Sequence, residues 1–257
     1  MSNPVLTERD LEYIFAGKKK AKAKSPWFQG ALFFGSFLVI SAIVFVIMNF
    51  TTLKQNFDFW YNTEYKISPA SQDVQTLSAI SPGSTAAPST ALPQIENNSL
   101  YLPIINVKAP VNFGIPNKPE NVAIGLSKGL IQVQGTALPG EIGNVFVTGH
   151  SSNYPWAKGN YNNVFALLNK VVVGDVVQIK YQNIDYVYKI SSIKTVEPTN
   201  VSVMESKKES VLTLMTCTPV GTSLRRLIVV ANQVYPNPNS NKTMQERSVE
   251  NSLPPVH

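Results

Sequence analysis

From Trp27 to Phe50 the chain runs 24 residues without a charged side chain, and no other stretch narrows its possible folds so sharply. About 22 residues at about 1.5 Å rise give a helix of roughly 33 Å, enough to cross the hydrocarbon core of a bilayer. A buried helix of a soluble protein would divide into apolar and polar faces, which this stretch does not. It is also longer than the apolar region of a signal peptide, and no small-x-small cleavage site ends it. It is therefore expected to be a transmembrane helix. Lys18, Lys19, Lys20, Lys22 and Lys24 precede it, so the positive-inside rule puts residues 1–26 in the cytoplasm as a small tail with a basic block. Leu6, Leu11, Tyr13 and Ile14 suit a short surface helix there. Everything after about residue 51 is then extracellular, with Trp60 and Tyr61 near the outer interface.

The same segment explains a composition of 44% hydrophobic and 15% charged residues. The formal charge of +6 falls to +1 without the five clustered lysines, which argues against a nucleic-acid partner. Residues 51–98 are mostly rich in Ser, Thr, Ala, Pro and Gln, a composition that buries too little surface to offset ordering entropy, and read as a flexible stalk. Residues 236–257 are polar and proline-marked and read as a disordered tail.

Between them, residues 99–235 break into short β-type runs at Tyr101–Val107, Ile131–Gln134, Asn144–His150, Val171–Tyr181, Tyr186–Val196, Val211–Cys217 and Arg226–Val234. One short helix fits 162–168, where Val164, Leu167 and Leu168 share a face. Several strands with little helix define a mainly β domain, a closed barrel or a sandwich, large enough to fold alone.

Three groups in this domain carry potential chemistry. Cys217 is the only cysteine, so no internal disulfide forms, and no Cys/His cluster has zinc-ligand spacing. A lone cysteine is commonly a small buried hydrophobe, but this one ends an apolar run just before Thr218-Pro219 and lies on the oxidising side of the membrane. His150 follows Gly149 at the end of another run and, taken alone, reads as a surface histidine at a strand end. The remaining histidine, His257, lies in the tail. Arg225 and Arg226 open a strand and point to opposite faces, so only one shares a face with Ile228 and Val230; periodicity does not say which face works. A thiol, an imidazole and a guanidinium together can attack a carbonyl, move the proton and stabilise an oxyanion.

Thr148-Gly149-His150, the block Thr213-Leu214-Met215-Thr216-Cys217, and Arg226 followed by Val230-Ala231 resemble, in order and spacing, the three signature segments of sortases, the cysteine transpeptidases of bacterial cell surfaces. The segment from Gly135 to Asn144 is similar to the family's lead into its histidine strand, and the likeness covers most of residues 100–234. The resemblance implies a closed sortase-type β-barrel with one or two short helices behind a single transmembrane helix. It implies that Cys217 is the nucleophile, His150 the acid and base, and Arg226 the group that binds substrate and stabilises the oxyanion. The spacing to Ala231 favours Arg226 over Arg225. Thr216 is implied as a motif member beside the nucleophile at the substrate. No cofactor is implied. The implied donor is a surface protein with a C-terminal Leu-Pro-x-Thr-Gly-like sorting signal, and the acceptor an amine of a peptidoglycan precursor or a pilin lysine. Water in place of the amine would make a hydrolase, and an unused trio would leave a tethered binding module.

The turn at 218–222 resembles the pilin-polymerising group, although no second membrane span follows. Asp58-Phe59-Trp60 superficially resembles that group's lid motif, but its closeness to the span makes an interfacial aromatic pair the simpler reading. No acidic cluster supplies the six or more oxygens of a calcium site. The loop 151–161, with Trp156, follows the histidine and is expected to border the cleft and contact substrate.

Overall fold

The computed structural model describes residues 7–15, 26–65, 93–153, 157–244 and 253–255, and divides the chain into two compact units, 1–49 and 50–257. Helix α1 spans Glu8–Phe15. Its start is fixed by Thr7 and Asp10, with the Thr7 amide and hydroxyl donating to Asp10 Oδ2 at 3.0 and 2.6 Å. Helix α2 runs from Pro26 to Tyr65. Within it Gly30–Met48 has a mean hydropathy of 2.7 and none of it is buried by protein. The helix extends beyond the expected span, so 51–65, assigned from composition to the stalk, are helical. Asp58 pairs there with Lys54 at 2.7 Å, one turn back, and Phe57 lies against Trp60 and Tyr61 at 6.0 and 6.2 Å. The lysine block and most of the expected stalk, residues 66–92, lie outside the described residues.

Among the described residues nine strands follow: β1 Ser99–Leu102, β2 Val107–Ile115, β3 Leu130–Val133, β4 Glu141–Thr148, β5 Val176–Tyr181, β6 Ile184–Val196, β7 Ser210–Thr218, β8 Arg225–Tyr235 and β9 Lys242–Thr243. Their order is β3-β2-β1-β5-β6-β8-β7-β4-β9, and β3 also pairs with β4. That last pairing closes the first eight into a barrel, with β9 added in parallel to the outer end of β4. Closure removes the exposed sheet edges that would otherwise invite association.

The barrel carries two apolar layers because its strands alternate inward and outward. Val145 and Val147 of β4, Leu212 and Leu214 of β7, and Leu227 and Val229 of β8 fill the interior. Their alternates, Phe146, Met215, Cys217 and Ile228, form an outer layer. Helix α3, Pro119–Lys128, covers part of that layer with Val122 and Leu126, and a 3-10 turn at Val201–Met204 covers another part. Both faces of β4 and β7 are thus buried, which explains their nearly continuous apolar sequences.

Several sequence expectations change at this level. The run 101–107 is interrupted by a 3-10 turn that begins at Pro103 and ends at Asn106, left-handed at φ 51°. The strand expected from Val171 begins at Val176, after the turn at Gly174 and Asp175. The helix expected over 162–168 is a series of turns ending in a 3-10 turn, and among the described residues of the domain the one longer helix is α3. The tail expected to be disordered is structured over 236–244, where a 3-10 turn and β9 form and Asn241 Nδ2 donates to Ser210 Oγ and Gln233 Oε1 at 2.8 and 2.9 Å. Leu253 of the same tail is buried in the outer layer.

Candidate active site

Strand direction brings the three candidate residues to one rim. Strands β4 and β7 are parallel, so His150, just past the end of β4, and Cys217, near the end of β7, come to the same side, and β8 is antiparallel to β7, so its beginning lies at the same rim. The β4–β7 register ends at Thr148↔Met215, an offset of 67 residues. The same 67 positions separate His150 from Cys217, and Thr216 Oγ1 carries that offset one residue further by donating to the Gly149 carbonyl at 2.8 Å. Across β7 and β8 the pairing is direct, with Cys217↔Arg226.

Each member is held from below. Thr148 Oγ1 donates to the Met215 carbonyl at 3.0 Å while Thr216 returns a bond to β4, so two hydroxyls clip the strands together just beneath the rim. Thr216, expected at the substrate, is turned by strand alternation to the face opposite Cys217, and its hydroxyl holds the Gly149 carbonyl just before His150. Gly149 leaves no room for a side chain, since a Cβ there would lie 2.5 Å from Leu130 Cδ2 and 2.9 Å from Phe165 Cδ2. The backbone is further fixed by Phe165 N donating to the His150 carbonyl at 2.9 Å. The imidazole itself is 7% exposed, with Asn153 Nδ2 3.4 Å from its Nε2. Asn162 braces Asn153 through its side-chain oxygen at 3.3 Å. Neither asparagine stands out in the sequence, where the loop reads only as polar.

The two arginines have opposite fates. Arg225, opposite Thr218, reaches into solvent and pairs with Glu197 at 3.0 Å. Arg226 lies on the Cys217 face, 5% exposed, with no carboxylate pairing with it among the described residues. Its Nη1 donates to the Ser223 carbonyl at 3.0 Å, and its buried Nε finds no hydrogen-bond partner among the described residues. A buried guanidinium without a carboxylate is costly, and an unpaired donor in it adds to that cost. The Cys217 thiol, 3% exposed, is pushed above its ordinary pKa by burial and pulled partly back by the Arg226 charge. Trp156 lies outside the described residues. Among the described residues no three His, Cys, Asp or Glu side chains gather as a metal site requires.

The class this fold and rim define is a closed β-barrel carrying a thiol beside an imidazole and a guanidinium. Residues 100–234 match the Sortase domain, and the chain belongs to the sortase family. Sortase SrtE1 of Streptomyces coelicolor is 31% identical over 156 residues, 55% of this chain and 41% of the relative, so the chain spans less than half of that relative's length. Among solved structures, sortase C1 from Streptococcus suis is 30% identical with a TM-score of 0.45, over 55% of this chain and 73% of that one. A Clostridium perfringens sortase D5 transpeptidase is 26% identical with a TM-score of 0.44, over 55% and 82%.

Proposed function

We propose that this chain is a membrane-anchored cysteine transpeptidase that cleaves a Leu-Pro-x-Thr-Gly-like signal in a surface protein and transfers the new carboxyl end to an amine. The observation that carries this reading is the rim itself: His150 just beyond the end of β4, beside Cys217 on β7 and Arg226 on β8, with a buried guanidinium donor left for an incoming acceptor.

The chemistry follows from those positions. Cys217 Sγ, as thiolate, attacks a backbone carbonyl carbon of the donor, and the negative charge that develops on its oxygen is met by the Arg226 guanidinium. The C–N bond breaks as His150 gives its proton to the departing amine, leaving a thioester on Cys217. The acceptor amine attacks that thioester, His150 takes the amine proton, and the thiolate departs as the new amide forms. Burial keeps the thiol protonated at rest, which fits its release by the neighbouring imidazole and guanidinium when a donor arrives.

The apolar helix Gly30–Met48 supplies the anchor in this reading, with the N-terminal segment cytoplasmic and the barrel outside. The acceptor is an amine at the same surface, on a peptidoglycan precursor or a pilin lysine. Mass spectrometry after mixing the full chain with a library of Leu-Pro-containing peptides tests the assignment: the expected product is an acyl adduct on Cys217, absent in Cys217→Ala. Donor cleavage that persists in Cys217→Ala would overturn it. Adding amines to the reaction identifies the acceptor step, since transfer gives a product carrying the amine and hydrolysis a free carboxylate.

A further inference from the structure

The outer apolar layer beside Cys217 has an unexpected member. All but one of its residues come from the strands, from α3 or from the 3-10 turn at Val201–Met204; the exception is Leu253, 27 positions beyond Arg226 and 8% exposed. Pro254 after it is buried and Pro255 is half-buried. Residues 236–244, by contrast, are half-buried or exposed, and among the described residues beyond them burial returns at Leu253 and Pro254. With this segment in place Cys217, His150 and Arg226 are 3%, 7% and 5% exposed as whole residues, little access for groups that must meet a peptide.

We infer that Leu253–Pro255 occupies the acyl-donor groove of its own barrel and restrains Cys217 until a donor displaces it. The layer is built for such an occupant. Phe146, Met215 and Ile228 offer a branched aliphatic side chain a dry seat, and proline adds no amide donor that would go unpaired there. Leu253 is the one member of the layer whose removal disturbs no strand or helix. The donor-groove identity rests on the function proposed above, where the sought signal begins Leu-Pro; this segment reads Leu-Pro-Pro-Val-His. Tethering gives the segment a high effective concentration, so weak contacts suffice to hold it.

Alkylation of Cys217 by iodoacetamide at fixed pH tests occupancy without requiring any acyl donor. Three proteins are compared: the full chain, Leu253→Asp in the full chain, and a chain ending at Met244. Both altered proteins are expected to label roughly tenfold faster, the population ratio that burial of one leucine side chain supports. A synthetic peptide of residues 249–257 added to the shortened chain should return the rate to that of the full chain, whereas the same peptide with Leu253→Asp should not. Equal labelling of all three proteins would overturn the inference. So would fast labelling that the peptide fails to slow, because that marks loosened packing rather than a vacated groove. Competition against donor cleavage is then read separately: peptide protection with no donor turned over by any variant would uphold occupancy and defeat the transpeptidase reading.

Discussion

At the scale of single residues, the two neighbouring arginines at the start of β8 show how much one position decides. Arg225 and Arg226 are indistinguishable by composition and differ only in face. Arg226→Ala removes the buried charge beside the thiol, and should lower kcat/KM for a donor peptide by about 100-fold or more, in the range of losing an oxyanion-stabilising donor. Arg225→Ala removes an exposed ion pair with Glu197 and should change kcat/KM by less than about threefold. A larger loss for Arg225 would reverse the assignment. The thiol gives a second test. Burial raises its pKa and Arg226 lowers it, so the midpoint of Cys217 alkylation against pH should lie above that of an ordinary thiol, with labelling increasing as pH rises towards it. Arg226→Ala removes the lowering influence, and the midpoint should move higher still, with slower labelling at pH 8. A midpoint moving down on that substitution would mean that the guanidinium does not act on the thiol through its charge.

At the scale of elements, what was legible depended on whether the information was local. Strands β4, β7 and β8 are buried on both faces and announce themselves as apolar runs, and their ends were placed within a few residues. Helix α3 escaped notice because its buried face includes Gly125, against Ile131 and Ile115, so part of its packing signal is an absence of side chain. Strand β2 contains Pro110 and Gly114, residues that read as breaks, although Pro110 stands opposite Ser99 within the β1–β2 pairing. The role of Thr216 was equally hidden. A motif position beside a nucleophile suggests contact with substrate, and only the register shows its hydroxyl reaching Gly149 on the neighbouring strand. Thr216→Val should therefore cost about 1–2 kcal/mol in stability, seen as a lowered denaturation midpoint, and reduce kcat more than it raises KM. Thr216→Ser keeps the donor and should recover most of both. Failure of serine to rescue would point to packing of the methyl group instead of the strand-to-strand hydrogen bond.

At the scale of the whole molecule, the two parts of the chain solve different problems. The barrel closes on itself, has its own interior and places the reactive rim without any contribution from Gly30–Met48. Among the described residues none of that helix is buried by protein, which suits the membrane anchor proposed for it. Catalysis on a soluble peptide should then be independent of the helix: a chain beginning at residue 50 is expected to cleave donor peptide within about threefold of the full chain, as a surface-remote deletion from an independently folded domain allows. Confinement is what the helix adds. When donor and acceptor are both embedded in vesicles, transfer by the shortened chain should fall by roughly 100-fold at equal enzyme concentration, because the second encounter is no longer confined to one surface. Raising the concentration of the shortened chain should restore the rate in proportion. An unchanged rate on vesicle-bound substrates would show that the apolar helix does not serve the reaction by bringing the barrel to the membrane.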